Sequence, residues 1–559
     1  MSFRLEFAAA DLAGLPDLAL RVLADRPNPA FLGGELAVPA RLEDIALPAN
    51  LEARFVPEER DELASKLEAA LAPLAPHVAV LDAVRSLRDE GATVVIAGQQ
   101  PGLFGGPLMN LYKAVHVVRL ARDLAARWGR PVVPVLWNHA DDHDIAEVHH
   151  VHLATPQLDL TKVLLPGASS GRTPLGRFVL DDERHDLAAL CEHVTDLCGG
   201  EPFRDTAVAR CMPRAGETIA RAWTRLFLEL FGSHGLVVLE PDFLRAELSH
   251  ALADLLAEDP HPALARNRER LAEREVAAPI DPDTAALVYR VDGDGRHPYR
   301  HGGDGLKLDD EPGSRRASEL AAEIVGDLDG FSAGALLRPL VQDLALPVAA
   351  YVGGWGELAY HAQLTDLRAE RGLPQTPFVP RLACTLTDAR VRASLRRLDL
   401  DAASYYAGRR GLEGHPEPGA DREAEPEAGL RLAASLRDEA DAIRDRLRAR
   451  RGAVGDLDHA LVSQLERCSD QARKSVQRFA DKVERVATNS RGGSRRHVRR
   501  LDTWLWPRGG PQERGLSILQ WLARFDCGWL DELIEAVDAV PTEHHLVHLE
   551  TPAEREERA

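Results

Sequence analysis

The chain has 559 residues, of which 45% are hydrophobic, and 88 acidic against 68 basic residues give a formal net charge of −20. This length exceeds one ordinary core, so we expect two or three domains, and the negative charge argues against nucleic acid as a partner. No run of about 18 uncharged apolar residues occurs, and the six cysteines form no CxxC pair. We therefore expect a cytoplasmic protein with reduced thiols and no membrane partner.

Residues 1–90 are predicted to be an N-terminal helical part of the core, because Leu63, Leu67 and Leu71 share one helical stripe. A crossover unit follows. Thr93–Ala97 and Val132–Trp137 have the apolar, β-branched composition of buried strands, and the helix between them begins at Pro107 and ends at Gly129. Such a unit is parallel, so both strands end at the same edge of the sheet. We assign 91–242 to the first half of this α/β core.

A polar, glycine-rich loop follows the first of these strands. Free N–H groups in such a loop, placed before a helix, favour a phosphate or a carboxylate, and two adjacent amides add donors and acceptors. A tight structural turn is the alternative for the glycines, and a solvated helix residue is the alternative for the lysine that follows. The candidate ligand contacts are Gly98, Gln99, Gln100, Gly102, Gly105, Gly106 and Lys113.

A second polar segment follows the next strand. Its neighbouring carboxylates repel one another unless a cation neutralises them, and they offer His143 a partner that would raise its basicity. The predicted catalytic residues are Asp141, Asp142, His143 and Asp144, with Asn138 as a ligand contact. A metal held by His139, Asp142 and His143 is an alternative, although no HExxH motif is present. His149, His150 and His152 are expected to be surface or partly buried strand residues.

The remaining chain alternates between core and inserted parts. We predict an inserted connecting segment with hairpin or loop character at 243–330 and the second half of the core at 331–420, with a strand at 346–352 and an edge strand near Pro380. Leucine-rich stripes predict an antiparallel helical hairpin at 421–503, and 504–559 returns to the core. Near the strand ends of the second half, Arg338 and Arg381 could clamp an anion and Glu357 could contact an amine.

These segments resemble the family of the bacillithiol biosynthesis cysteine-adding enzyme, BshC. The resemblance rests on GQQPGLFGGPLMNLYK, PVLWNHADDHD, LLRPLVQDLALPVAAYVGGWGELAYHAQL, FVPRL and PQERGLSILQWL, which occur in the family's order. Within the third of these segments, Tyr360 matches the family tyrosine and joins the candidate ligand contacts. Two positions depart from the pattern: Asp141 stands where the family usually has Glu, and Trp355 stands where it has Pro.

The resemblance implies a Rossmann-like parallel sheet core with inserted connecting segments and a C-terminal antiparallel coiled-coil hairpin through which a homodimer would form. It also implies a ligase that adds L-cysteine to glucosaminyl malate in the last step of bacillithiol biosynthesis. Because an amide does not form from a free carboxylate in water, we expect ATP to activate the cysteine carboxyl group. The glycine loop would then hold phosphate or acyl oxygen, and the acidic segment would bind or deprotonate an amine.

Two other functions fit parts of the sequence. A metal-dependent amide hydrolase would use His139, Asp142 and His143 as ligands and a bound water as nucleophile. An assembly protein would use the stripe from Leu432 to Val486 as its working part.

Overall fold

The computed structural model describes residues 3–8, 17–32, 36–47, 51, 54–169, 171–302, 305–309, 313–407, 426–489, 492–551 and 554. Its strands are β1 (Phe3–Ala8), β2 (Thr93–Gln99), β3 (Val132–Asn138), β4 (His150–Ala154), β5 (Leu160–Leu164), β6 (Val237–Leu239), β7 (Ala286–Asp292), β8 (Gly295–His301), β9 (Leu306–Leu308), β10 (Phe331–Ala333), β11 (Val348–Gly353), β12 (Phe378–Pro380), β13 (Cys384–Thr387) and β14 (Glu543–His548).

The α-helices are given in chain order. They are α1 (Asp17–Ala24), α2 (Pro57–Leu71), α3 (Val78–Ser86), α4 (Leu108–Trp128), α5 (Ile145–Val148), α6 (Asp182–His185), α7 (Leu187–Cys198), α8 (Arg204–Cys211), α9 (Ile219–Phe231), α10 (Arg245–Leu256), α11 (His261–Glu273), α12 (Ala317–Gly326), α13 (Arg338–Ala345), α14 (Trp355–Ala362), α15 (Thr365–Glu370), α16 (Ala389–Arg397), α17 (Ala402–Ala407), α18 (Pro426–Arg448), α19 (Arg451–Gly455), α20 (His459–Asn489), α21 (Gly492–Trp504), α22 (Gln512–Gly515), α23 (Ile518–Phe525) and α24 (Trp529–Ala536).

A five-stranded parallel sheet forms the centre of the fold, in the order β12, β11, β2, β3, β6. Every residue of β2 and β3 is buried, as their continuous apolar runs predict for a parallel sheet covered on both faces. Helix α4 packs on both strands and ends at Gly129, which has the left-handed conformation (φ 63°) that favours glycine. The predicted crossover unit and the Rossmann-like core are confirmed.

The strand order also locates the crevice of this sheet. From β2 the chain builds outward through β3 to β6, then returns to the other side of β2 with β11 and continues to β12. The order therefore reverses between β2 and β11, and ligands of open α/β sheets bind beyond the carboxyl ends of strands at such a point. Pro380 lies in the edge strand β12, where the missing N–H is tolerated, as predicted.

Smaller sheets surround this core. A four-stranded antiparallel sheet, in the order β10, β7, β8, β9, contains the hairpin predicted within 243–330. A three-stranded sheet brings together β1, β14 and β13. Strand β1 was not expected in a helical N-terminal segment. His150 and His152 lie in β4 and are partly buried, as predicted.

Contacts divide the chain into two units, residues 1–389 with 503–559, and residues 390–502. In the second unit, α18 and α20 form the predicted antiparallel hairpin, since Arg437 pairs with Asp481 (2.9 Å) and Arg448 pairs with Asp470 (2.9 Å). This unit begins at 390, earlier than the predicted boundary at 421, because α16 and α17 belong to it. Residues 408–425, whose polar, proline- and glycine-rich composition predicts a linker, lie outside the described residues. Among the helices described, none is long and apolar enough to cross a membrane.

Candidate active site

The two polar segments meet at the carboxyl edge of the central sheet. Gln99 and Asn138 are register partners at the ends of β2 and β3, and the backbone N–H of His139 donates to the carbonyl of Gln99 at 2.9 Å. The side chain of Gln100 then reaches the second segment, where its Nε2 donates to Asp142 Oδ2 at 2.7 Å. The prediction that both segments face one cleft is confirmed by this contact.

The glycine loop itself is an internal turn. Gly105 N donates to Gly102 O at 3.1 Å, Gly106 N donates to Leu103 O at 2.9 Å, and Asn110 Nδ2 donates to Gly105 O at 3.0 Å. Gly105 and Gly106 have φ values of 87° and 78°, and a Cβ on Gly106 would lie 2.5 Å from Asn110 Nδ2. The N–H groups of Gly105 and Gly106 are thus bonded within the turn, which favours the structural turn over the predicted ligand contact at these two glycines.

Gly98 is different, since it allows a close approach within the site. A Cβ at this position would lie 2.3 Å from His139 Nε2, so only glycine leaves room for the imidazole. Burial, reinforced by Arg338 and Lys113, lowers the pKa of His139 well below its usual value. A neutral imidazole therefore lies against the end of β2.

Lys113 is buried rather than solvated. Its Nζ donates to Gly98 O at 2.5 Å and to Glu357 Oε2 at 2.7 Å, with 4% of the lysine side chain exposed. Glu357 also accepts from the N–H of Gly354 at 2.7 Å and from the Tyr351 hydroxyl at 2.9 Å. This cluster links β2 to β11 at the point where the strand order reverses. Burial and the neighbouring Glu357 raise the pKa of Tyr360, the half-buried tyrosine beside it.

Arginines neutralise the acidic segment. Arg245 pairs with Asp141 through two hydrogen bonds of 3.1 and 2.5 Å, and Arg296 Nη1 lies 3.8 Å from Asp142 Oδ1. Burial opposes ionisation of both carboxyl groups, yet Arg245 lowers the pKa of Asp141, while Arg338 and Arg296 lower that of Asp142. The expected need for positive charge is met, and both carboxylates are ionised at neutral pH.

His143 does not gain basicity. Its Nδ1 is 3.8 Å from Asp142 Oδ1, but burial and the nearby Arg296 lower its pKa and outweigh the carboxylates. The prediction of a raised basicity is wrong, since the acidic segment is already neutralised by arginines. The imidazole is neutral at pH 7, the state in which it can accept a proton.

Two cavities meet at Asp142. One is lined by residues that include Trp137, His139, Asp141, Asp142, Arg245 and Arg338. The other is more open and is lined by Gln100, Asp142, His143, Asp144, Ile145, Glu147 and Gly171. The first contains two arginines and two aspartates, whereas the second contains three carboxylates, so Asp142 lies between a side with balanced charges and an acidic side.

Arg338 differs from the other arginines of this site. Within the residues that the structure describes, its guanidinium forms no hydrogen bond or ion pair, although it is close enough to lower the pKa of Asp142. It is half-buried at the first turn of α13 and lines the smaller cavity. An unpaired guanidinium in such a place suits a carboxylate or phosphate.

Two predicted ligand contacts are instead structural. Arg381 pairs through both terminal nitrogens with Glu513, at 2.9 Å for one bond, and each of these side chains is 9% exposed. Asn138 is fully buried and its Nδ2 donates to Ala220 O and Thr224 Oγ1, both at 3.0 Å. Neither lines the two cavities: the Arg381 guanidinium is paired next to β12, and the Asn138 Nδ2 group is bonded to α9.

The alternative metal site does not form. Across the described residues, the one group of three or more His, Cys, Asp or Glu side chains whose ligand atoms lie within 4.8 Å does not include His139, Asp142 or His143. His139 packs against Gly98, whereas His143 lines the open cavity. The geometry therefore gives no support to the metal-dependent hydrolase.

Sequence reasoning missed Arg245 and Arg296. Arg245 follows the polar end of β6, a position that the strand-end argument could have included. Arg296 lies in the hairpin β7–β8, where no local signal indicates a site, and it stacks over Tyr289 with 3.6 Å from its Cζ to the ring centroid. The inserted segment, from which little chemistry was expected, thus supplies two of the arginines.

Comparison with known proteins agrees with this architecture. Residues 43–382 match the family model described as "Bacillithiol biosynthesis BshC, N-terminal Rossmann-like domain", and residues 385–549 match its C-terminal coiled-coil domain. The chain belongs to the BshC family. Relatives named "Putative cysteine ligase BshC" include a protein of Koribacter versatilis, 30% identical over 89% of this chain and 91% of its own. Another, from Shouchella clausii, is 31% identical over 81% and 84% of the two chains.

The two positions that depart from the BshC family pattern, Asp141 and Trp355, lie in different surroundings. Asp141, in place of the usual Glu, keeps both carboxylate oxygens on Arg245. Trp355 is the partly exposed first residue of α14, two positions before Glu357. The shorter carboxylate is thus accommodated by a long arginine side chain.

Proposed function

We propose that this protein is a cysteine ligase that joins L-cysteine to glucosaminyl malate in the last step of bacillithiol biosynthesis. The observation that carries the proposal is the division of the cleft at Asp142, with an unpaired guanidinium on one side and carboxylates on the other. An amide ligase must hold an anionic acyl donor and an amine next to each other, and this arrangement provides a place for each. The relatives are named as cysteine ligases, which supports cysteine as one of the two substrates.

The residues have separate roles in this proposal. Arg338 binds the carboxylate or phosphate of the activated donor, and Asp142 orients the ammonium of the acceptor. Neutral His143 takes a proton from that ammonium, so that the free amine attacks the acyl carbon and forms the C–N bond while the activating group leaves. The Lys113–Glu357 pair does not touch the substrates and instead fixes the ends of β2 and β11.

ATP is the activating nucleotide that we propose. Because Gly105 N and Gly106 N are already bonded within their own turn, we assign the phosphates to Arg338, whose unpaired guanidinium lines the smaller cavity. When bound, ATP would convert the carboxylate of cysteine into an acyl group with a good leaving group. The role of the protein side chains is to hold the charged groups of the two substrates next to each other.

The direct test is incubation of the purified protein with cysteine, glucosaminyl malate and ATP, followed by mass spectrometry. We expect a product with the mass of bacillithiol together with AMP or ADP, and neither when cysteine is omitted. Nucleotide release without the thiol product would refute the proposed acceptor. Absence of both would refute the proposed function.

We further propose that the protein works as a homodimer through its helical hairpin, in the cytoplasm, where its six free cysteines stay reduced. Several apolar side chains of the predicted stripes remain uncovered within one chain: Leu432 is 52% exposed, Leu457 83% and Phe479 57%. A partner hairpin would bury them. Light scattering should give twice the monomer mass, reduced to one in Phe479→Glu but not in Leu164→Glu, a similarly exposed leucine of β5. A monomeric wild type would contradict the proposal.

A further inference from the structure

A cluster of possible metal ligands lies in the inserted segment. The ligand atoms of His261, Asp283 and His301 all lie within 4.8 Å of one another. They come from three separate elements: the first residue of α11, the loop before β7, and the last residue of β8. Because residues distant in the chain converge here, the cluster is a product of tertiary folding rather than of local composition.

The contacts within the cluster bring its three side chains together. His261 Nε2 is 2.7 Å from Asp283 Oδ1, and the rings of His261 and His301 lie face to face with centroids 3.5 Å apart and planes at 7°. Because an imidazole binds a metal through a nitrogen lone pair in the plane of its ring, binding of one ion by both rings requires one ring to turn out of this stack.

The carboxylate is also oriented as a ligand would be. Arg268 Nη1 contacts the second oxygen of Asp283 at 2.7 Å and Asp281 Oδ1 at 2.5 Å. A partner on the far oxygen fixes the ligand orientation and leaves Oδ1 facing the histidines.

We propose that His261, Asp283 and His301 bind a divalent transition-metal ion of the zinc class, with water completing its coordination. Two imidazoles and one carboxylate suit zinc, whereas magnesium and calcium prefer oxygen ligands alone. Asp283 is 46% exposed, so an ion can enter and the side chains can close on it. The ion would connect α11 to β8, the strand that also carries Arg296 of the candidate active site.

The test is a zinc titration of the full-length protein after chelator treatment and dialysis, in competition with a chromophoric zinc indicator. We expect one equivalent to bind to the wild type and the affinity to fall at least about tenfold in His261→Ala, His301→Ala and Asp283→Asn. Zinc should raise the melting temperature of the wild type but not of these variants. Asp283→Asn keeps the side-chain size, so it stays informative if an alanine variant fails to fold.

The matched control is His150→Ala, in another group of histidines, where the ring centroids of His149 and His150 are 5.3 Å apart and those of His150 and His152 are 5.5 Å apart. It should bind zinc like the wild type. Loss of binding in His150→Ala with retention in His301→Ala would overturn the proposal, as would the absence of a stoichiometric site. These measurements do not use ligase activity and are independent of the proposed function.

Discussion

The two sides of the sheet's carboxyl edge balance their charges differently. Between β2 and β11, Lys113 and Glu357 form a buried pair that also uses Gly98 O and the Tyr351 hydroxyl. Beside β3, Asp142 and Arg338 face cavities, and the guanidinium has no partner among the described side chains and backbone groups. In the first arrangement each charged group has a partner within the protein, whereas in the second the Arg338 guanidinium is left for a ligand in our proposal. The comparison indicates which charged residues build the site and which act on ligands.

The largest effect is expected at Asp142. The isosteric Asp142→Asn removes the negative charge that the two cavities share and leaves an amide of the same size. We expect the rate of thiol-product formation to fall by about 10²- to 10⁴-fold, the usual contribution of a positioned charged or proton-transferring group. Product formation measured by mass spectrometry, with the melting temperature as a check on folding, tests this expectation.

Asp144→Asn is the matched control for Asp142. Asp144 was predicted to be catalytic too, but it is exposed and directly precedes α5. We expect a change in rate of less than about tenfold, because an exposed charge interacts weakly through water. Equal losses of rate in the two variants would show that the acidic segment contributes through its overall charge. Asp142 would then have no specific role in the reaction.

The buried pair should affect stability instead. Lys113→Met leaves Glu357 without its cation and should lower the free energy of unfolding by about 3 kcal/mol, as for other broken buried pairs. Glu357→Gln should cost a similar amount. Urea denaturation of both single variants and of the double variant gives the coupling energy between the two side chains. If the losses of the two single variants simply add in the double variant, Lys113 and Glu357 are not coupled. The conclusion that they form a stabilising buried pair would then be wrong.

The helix under this pair also responds to pH. His116, one turn after Lys113 in α4, accepts from Leu382 N at 3.0 Å through Nδ1, and its Nε2 is 2.8 Å from Ala539 O. Burial lowers the pKa of His116 to about 4 from an unfolded value of 6.5. The unfolded chain therefore takes up the proton first, and stability falls as the pH drops from about 6.5 to about 4, by about 3 kcal/mol in total for this group.

His116→Gln isolates that contribution, since the amide can keep both hydrogen bonds without titrating. Between pH 7 and pH 4, the unfolding free energy of the wild type should fall by about 3 kcal/mol more than that of the variant. The exposed His250→Gln should show no such change. A pH-independent difference for His116→Gln would mean that the pKa of His116 is the same in the folded and the unfolded chain.

The sequence predicted the core well because its signals are local. Thr93–Ala97 and Val132–Trp137 are apolar runs followed by polar residues, and Pro107 and Gly129 bound a helix, so strands, helix and shared edge follow from short stretches of chain. The meeting of Gln100 with Asp142 follows from parallel strands alone.

The pairing of charges was not predictable in the same way. Arg381 looked like an anion clamp, but its partner Glu513 lies 132 residues away, and Arg245 reaches Asp141 across 104 residues. Long-range packing decides which arginine is neutralised, and local sequence patterns carry no information about that packing. The role of the glycine loop could not be decided from the sequence for a different reason. A turn that closes on itself and a turn that binds an anion need the same residue type.

Arg338 and Arg381 provide the sharpest test of the comparison, since strand-end position gave both the same predicted role. Arg338→Ala removes a cation with no protein partner, so the unfolding free energy should change by less than about 0.5 kcal/mol. The KM for the anionic substrate should rise by about tenfold to a hundredfold, the cost of one charge-assisted hydrogen bond. Arg338→Lys should recover part of this loss, because it restores the charge without the planar fork.

Arg381→Ala should behave in the opposite way. It leaves Glu513 buried without its cation, so stability should fall by about 3 kcal/mol, with KM changing little in the fraction that remains folded. Urea denaturation and steady-state kinetics should therefore separate the two variants. Arg338→Ala changes KM but not the unfolding free energy, and Arg381→Ala changes the unfolding free energy but not KM. If Arg338→Ala destabilised the protein as much as Arg381→Ala and left KM unchanged, an unpaired charge would not mark the substrate side, and the cleft would have to be assigned on other grounds.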